Sequence, residues 1–169
     1  MSGQPSFGLR AARLADAERI FGLVRSHAEE LVPKPMGDIV ASIDRFVVAE
    51  AEGRIVGCAA YSILPEIGAA ERATVEIQSV AVEAPYRKLG IGRALVETLL
   101  ARIATFRPAD ALVLTFAPGF FAKLGFAEVP KSKVMHKLYS GCLHCSKHAD
   151  PFTCPEIAMS KGLTAVAQG

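Results

Sequence analysis

A chain of 169 residues, 51% of them hydrophobic and 21% charged, with a mean hydropathy of +0.30, reads as one globular domain (1–169) and not as a disordered polymer. A domain of this size buries roughly two-thirds of its chain surface. The net charge of +2 with no Lys/Arg block is too balanced to argue for nucleic-acid binding, residues 1–10 (MSGQPSFGLR) lack a signal peptide's apolar stretch, and no apolar run approaches a membrane span.

Phe7 to Leu14 is predicted as a first strand, and Asp16 as the cap of a helix carrying Ile20, Leu23 and Val24 on one side. Pro33-Lys34-Pro35 stops that helix region, because proline has no N–H to give a helix interior. A short helix with Ile39, Ile43 and Phe46 follows. FVVAEAEGRIVGCAAYSIL then holds two apolar runs around Glu52-Gly53, a hairpin signal, with Cys58 as a small buried apolar residue of its second strand. Pro65 to Arg72 is a loop, and VEIQSVAV (75–82) reads as a strand rich in β-branched residues, bounded by Glu83-Ala84-Pro85. A long helix comes next, with Ile91, Leu95, Leu99 and Ile103 in a row of period 3.6, flanked by Val96 and Leu100. ALVLTF (111–116) reads as a buried strand, Pro118 opens a short helix that Gly125 ends, and Phe126 to Val129 returns as a strand. Residues 132–141 suggest a helical turn and a cysteine-bearing loop follows. Glu156 to Met159 is the last predicted strand, and residues 162–169 are a loose tail, which leaves a core of about 8–161.

Between the strand at 75–82 and the long helix lies Arg87-Lys88-Leu89-Gly90-Ile91-Gly92. Glycine lets backbone approach a ligand closely, and a helix N-terminus offers unpaired N–H groups at the positive end of its dipole. Arg87, Lys88 and Arg93 add positive charge, so the turn is a seat for a pyrophosphate. A lone G-x-G also fits a plain tight turn before a helix. A P-loop is excluded, since no G-x-x-x-x-G-K-S/T string occurs, and a Rossmann turn is disfavoured by the missing third glycine.

The full string V-x-x-P-Y-R-x-x-G-I-G, after a strand that contains Glu76, resembles the acetyl-CoA motif of the GNAT N-acetyltransferase superfamily, Q/R-x-x-G-x-G/A. The resemblance implies an α/β GNAT fold: a mixed central sheet with flanking helices and two splayed central strands, here 75–82 and 111–116. In that family the pantetheine arm of the cofactor lies between those strands. LVPKPMGDIVASIDRFVVAEAEGRIVGCAAY, LTFAPGFFAKLGF and the closing EIAM resemble the acetyltransferase domain of N-acetylglutamate synthases, in the short form without an amino-acid-kinase domain. The function so implied is acetyl transfer from acetyl-CoA to the amino group of a small amino acid, glutamate preferred, in arginine biosynthesis. A non-catalytic acyl-CoA-binding module and a GNAT enzyme acting on a different amine stay open as alternatives.

The resemblance also assigns residues. Glu76 stands where several GNAT enzymes carry a general base, and a carboxylate partly buried beside a cleft is suited to take an ammonium proton; a glutamate on the wet face of a strand is the plain alternative. The N–H of Val80 falls where the family bonds the thioester oxygen, while Val80, Ala81 and Val82 pair with pantetheine like an added strand. The phosphates fall to Arg87, Lys88, Leu89, Gly90, Ile91, Gly92 and Arg93. Phe121 occupies the position of a tyrosine that protonates the leaving thiolate in many GNAT enzymes. It cannot donate a proton, so it is expected to pack against the pantetheine arm, and Tyr61, Tyr139, Ser79 or water is left to serve as the acid. Lys34 matches a basic substrate-binding position of the synthases, or is an ordinary loop lysine. Their second arginine is missing from Thr115-Phe116-Ala117-Pro118, with His136 and Lys137 as replacements by motif.

Cys142, Cys145 and Cys154 cluster near His144 and His148. The C-x-x-C pair raises a structural zinc with Cys₃His ligation against a reduced cluster that merely packs or a redox-sensitive pair. The expected partner is a small-molecule amine, with no nucleic acid and no membrane. A homodimer is left open. The expected compartment is the cytoplasm, where cysteines are reduced or metal-bound.

Overall fold

The computed structural model describes residues 6–64, 72–134, 142 and 145–163. Its elements run β1 (Phe7–Ala11), α1 (Ala17–Ser26), α2 (Met36–Ala41), β2 (Phe46–Ala51), β3 (Arg54–Leu64), β4 (Thr74–Val82), α3 (Ile91–Ala104), β5 (Asp110–Thr115), α4 (Pro118–Ala122), β6 (Ala127–Glu128) and β7 (Ile157–Gly162). The strands form a seven-stranded mixed sheet in the order β1-β2-β3-β4-β5-β7-β6, the expected α/β GNAT architecture. By internal contacts the chain divides into two compact units, residues 1–61 with 79–99, and residues 62–78 with 100–169.

In the first unit β1, β2 and β3 are antiparallel neighbours. Glu52 (φ 52) and Gly53 (φ 75) both take the left-handed conformation that a two-residue hairpin needs. Ile20, Leu23 and Val24 of α1 form its buried stripe and pack with Ile39, Phe46, Val48, Ile55, Cys58 and Ala81. Each such fully buried side chain contributes about 1.5–3 kcal/mol relative to exposure. Gly57 of β3 is a close-approach point, since a Cβ there would lie 3.1 Å from the Ala81 carbonyl oxygen, 3.2 Å from Leu95 and 3.3 Å from Ile91.

In the second unit β4 and β5 run parallel, paired at Val75↔Ala111 and Glu76↔Leu112, while β5, β7 and β6 are antiparallel. Leu64, Leu112, Val134 and Ala158 make a core cluster with Leu114 and Val129 packed on it. Phe121 meets Phe120 and Phe126 edge-on, at centroid distances of 5.0 and 5.5 Å. The Gly125 turn after α4 (φ 89) is closed by Lys161, whose ammonium donates to the Leu124 carbonyl at 2.7 Å.

Several boundaries differ from those predicted. The first strand ends at Ala11, one further bond joins the Ala12 N–H to the Phe46 carbonyl at 3.0 Å, and Leu14–Asp16 is a 3₁₀ turn instead. Asp16 stands at the N-cap of α1 without capping it. Its carboxylate accepts from the Arg13 N–H (2.7 Å) and from the Arg10 guanidinium (2.7 and 3.1 Å). Arg10 holds Asp16 below the usual carboxylate range, against the opposing effect of burial. Ile43–Arg45 is a 3₁₀ turn and Phe46 opens β2, so the helix with Ile39 ends at Ala41. Lys131–Val134 is the one turn described of the predicted 132–141 helical segment; residues 135–141 lie outside the described residues, as do 65–71 of the predicted loop. β7 begins after Glu156 and includes Gly162, which the sequence reading placed in the tail, because Gly162 pairs with Asp110; residues 164–169 lie outside the described residues. Among the described residues no helix is long and apolar enough to cross a membrane.

Candidate functional site

The first unit carries a strand, a turn and a helix N-terminus in succession. Within β4, Ser79 has φ 56, a left-handed conformation that costs a non-glycine residue about 1–3 kcal/mol. The buried Cys58 thiol of β3 donates to the Ser79 carbonyl at 3.5 Å, and burial pushes that thiol up to about 12. The Glu83 N–H donates to the Val56 carbonyl at 2.9 Å, and the Ala81 carbonyl faces Gly57, so these positions address β3. Backbone alternation from Glu83 turns the carbonyl of Val82 to the opposite edge. There the Val82 carbonyl is met by His27 Nε2 at 3.0 Å and by Arg87 Nε at 3.2 Å.

The turn after β4 is held to the hairpin. Glu83 accepts from Arg54 Nη2 at 2.9 Å and from Arg19, whose Nε donates to the Ile55 carbonyl at 2.9 Å. Buried Tyr86 donates its hydroxyl to Glu52 Oε2 at 2.9 Å. Beyond this anchor Arg87 and Lys88 are exposed, and Lys88 (φ 63) and Gly90 (φ 82) are both left-handed. The N–H of Ala94 makes a first helical bond of α3, to Gly90 at 3.0 Å. The N–H groups of Ile91, Gly92 and Arg93 therefore precede the helical ladder and point out of the positive end of a fourteen-residue helix. A Cβ built on Gly90 would meet nothing within 4 Å, so space lies open at the turn. Orphan donors, open space and exposed cations fit the diphosphate of acetyl-CoA. Arg93 differs from expectation in one respect, since its Nε is tied to Glu97 at 2.7 Å along the helix surface.

Lys34, also in the first unit, is half-buried in the irregular stretch before α2. Of the hydroxyls considered for the acid, Tyr61 and Ser79 are both buried, and Tyr139 lies outside the described residues.

In the second unit Glu76 is 4% exposed on β4, opposite Leu112. That burial removes the alternative of a glutamate on the wet face of a strand. Phe121 is likewise 4% exposed, with its ring edges against Phe120 and Phe126. His136 and Lys137 lie outside the described residues, as does His144.

The cysteine-bearing loop is not drawn together as a metal centre. Among the described residues no group of three or more His, Cys, Asp and Glu side chains could hold a metal ion. Among the described residues Cys142, Cys145 and Cys154 form no disulfide, and Cys154 donates to Glu156 Oε2 at 3.7 Å. The loop is fastened by Lys131, whose ammonium donates to the carbonyls of Pro151 (2.9 Å) and Cys154.

Sequence reasoning missed His27, Glu83 and Lys131 as supports of these sites, and named Ser79 only as a candidate acid. None carries a motif, and the partner of His27 lies 55 positions away in the chain.

A family model described as an acetyltransferase (GNAT) domain matches residues 42–128. An uncharacterized N-acetyltransferase of Chlorobaculum tepidum is 34% identical over 157 residues, which are 92% of this chain and 96% of that relative. An amino-acid acetyltransferase of Mycobacterium tuberculosis is 32% identical over 136 residues, 78% of this chain and 74% of the relative. Among solved structures, a Mycobacterium tuberculosis protein in complex with CoA and NLQ superposes with a TM-score of 0.75 at 26% identity, covering 92% of this chain and 98% of its own. N-acetylglutamate synthase from Neisseria gonorrhoeae, complexed with coenzyme A and N-acetyl-glutamate, shares the fold at a TM-score of 0.75 and 18% identity, over 95% of this chain and 36% of its own.

Proposed function

The chain belongs to the GNAT acetyltransferase family and is an acetyl-CoA-dependent N-acetyltransferase, and we propose that its amine is the α-amino group of glutamate, in the step that opens arginine biosynthesis. The chemistry rests on one observation, the buried carboxylate of Glu76 on the strand that also carries Val80. Support for an amino-acid acceptor comes from the amino-acid acetyltransferase relative, and support for glutamate from the fold shared with an N-acetylglutamate synthase.

In this reading Glu76 takes a proton from the substrate ammonium through a water, since only the free amine has a lone pair to attack with. The amine nitrogen bonds to the acetyl carbon as the carbon–sulfur bond breaks. The Val80 N–H donates to the thioester oxygen while negative charge builds there. The leaving sulfur takes a proton from water or a nearby hydroxyl, because Phe121 has none to give, the nitrogen of the new amide loses its remaining extra proton to water, and Glu76 returns its proton to solvent. Products are N-acetylglutamate and free CoA.

The Val80 and Val82 N–H groups line the pantetheine arm. Arg87, Lys88, Arg93 and the backbone of Leu89, Gly90, Ile91 and Gly92 hold the phosphates, and Lys34 pairs with a substrate carboxylate. The chain acts as one acetyltransferase domain. The compartment in this reading is the cytoplasm.

The test is thiol release on mixing the protein with acetyl-CoA and a panel of amino acids, with mass spectrometry of the product. Preferred turnover of glutamate is expected. Preference for another amine would overturn the glutamate assignment while leaving the family chemistry in place.

A further inference from the structure

We propose that Glu52, at the tip of the β2–β3 hairpin, is a positioning residue for CoA that acts through Tyr86 on the phosphate turn. Glu52 (φ 52) and Gly53 (φ 75) are the two central residues of the hairpin loop, and both are left-handed. Asparagine, aspartate or glycine suits the first of these positions, so a glutamate there stands against its local preference. A residue kept in such a conformation points to a role outside its own turn. That role lies in its side chain, whose Oε2 accepts from the Tyr86 hydroxyl at 2.9 Å, 34 positions along the chain. Asparagine and aspartate are one methylene shorter, which withdraws the acceptor.

Tyr86 transmits the contact. It is buried, and the Arg54 guanidinium lies 5.6 Å from the centroid of its ring. Its N–H donates to the Glu83 carbonyl at 2.9 Å, closing the 3₁₀ turn Ala84–Tyr86. Arg87, the left-handed Lys88 and Gly90, and the N–H groups that open α3 come directly after. A stretch of so few residues inherits its direction from its fixed end, and that end is Tyr86. Glu83 holds the turn as well, through Arg19 and Arg54, whose side chains are 39% and 55% exposed. Ion pairs so exposed contribute little. The hydroxyl of a buried tyrosine donating to a carboxylate is the stronger tie. All of these residues belong to the first unit.

This inference rests on the reading of the 87–93 turn as the phosphate seat, and the experiment separates the two. Calorimetry gives the Kd for CoA, and thermal unfolding the melting temperature, of the wild type, Tyr86→Phe, Glu52→Gln, Glu52→Asn, the Tyr86→Phe/Glu52→Asn double variant and Gly92→Val. Tyr86→Phe and Glu52→Asn should each raise the Kd roughly fivefold, the equivalent of one hydrogen bond. The double variant should lose no more than either single one, since both remove the same bond. Glu52→Gln keeps an acceptor oxygen at the same reach and should recover most of the affinity. Glu52→Asn should melt at or above the wild-type temperature, because asparagine suits the left-handed position. A merely structural residue would lose stability and affinity together, and that result, like additive losses in the double variant, overturns the positioning role. Unchanged CoA affinity in Tyr86→Phe and Glu52→Asn beside a weakened Gly92→Val overturns that role alone. Unchanged affinity in all three overturns the phosphate seat as well.

Discussion

His27 and Val82 are joined across the first unit: the imidazole Nε2 lies 3.0 Å from the Val82 carbonyl, while Nδ1 lies 2.7 Å from the carbonyl of Leu23. The ring is 8% exposed, so it ties the end of α1 to the end of the cofactor strand where water scarcely competes. Arg87 of the phosphate turn donates to the same Val82 oxygen. Replacing His27 by Leu removes that tie and leaves Arg87 as the partner named there. Affinity for acetyl-CoA should fall about tenfold, the effect of a lost buried hydrogen bond at ~1–2 kcal/mol. The KM for the amine should move little. Calorimetry with CoA checks it, and His27→Gln, which keeps a donor, should recover part of the loss.

The phosphate turn gives a second expectation. Gly90 is left-handed and Gly92 lies among the orphan N–H groups that open α3. Gly92→Val should place side-chain atoms where the diphosphate sits and weaken acetyl-CoA binding by about an order of magnitude or more. Equal affinity in wild type and variant would show that the turn is not the phosphate seat.

Glu76→Gln should lower turnover by about a hundredfold or more while sparing acetyl-CoA affinity, because a general base acts on the amine. The deficit should shrink at high pH, where free amine is more abundant. Steady-state rates across pH provide the check, and wild-type turnover at neutral pH would remove Glu76 from the mechanism.

Asp16 sets an acid limit on stability. Arg10 holds its folded-state carboxyl below the ordinary 3.8, opposed by burial and aided by the Arg13 N–H. A depressed folded value means that the contribution is present above pH 3.8 and fades as pH falls below it toward the folded value. Asp16→Asn should cost about 1–3 kcal/mol at neutral pH, through a poorly matched buried partner for Arg10. Its melting temperature should also depend less on pH in the acid range, as thermal unfolding at several pH values will reveal.

What the sequence alone determined was local. The apolar row Ile91, Leu95, Leu99 and Ile103 follows from helical period, the hairpin at Glu52-Gly53 from turn chemistry, and the left-handed Gly90 turn from a glycine ahead of a helix. Each of these is written within a few consecutive residues, where chain geometry leaves few choices. Tertiary structure decided the rest. Whether Glu76 is wet or buried depends on what covers β4, and strand pairing from Asp110 turned Gly162 from tail into strand. The left-handed Ser79, held by the Cys58 thiol, has no signal in VEIQSVAV, since serine favours no such conformation within a strand. Lys131 is the same lesson: an ammonium can hold two carbonyls of a distant loop, and nothing in the neighbouring residues announces which carbonyls they will be.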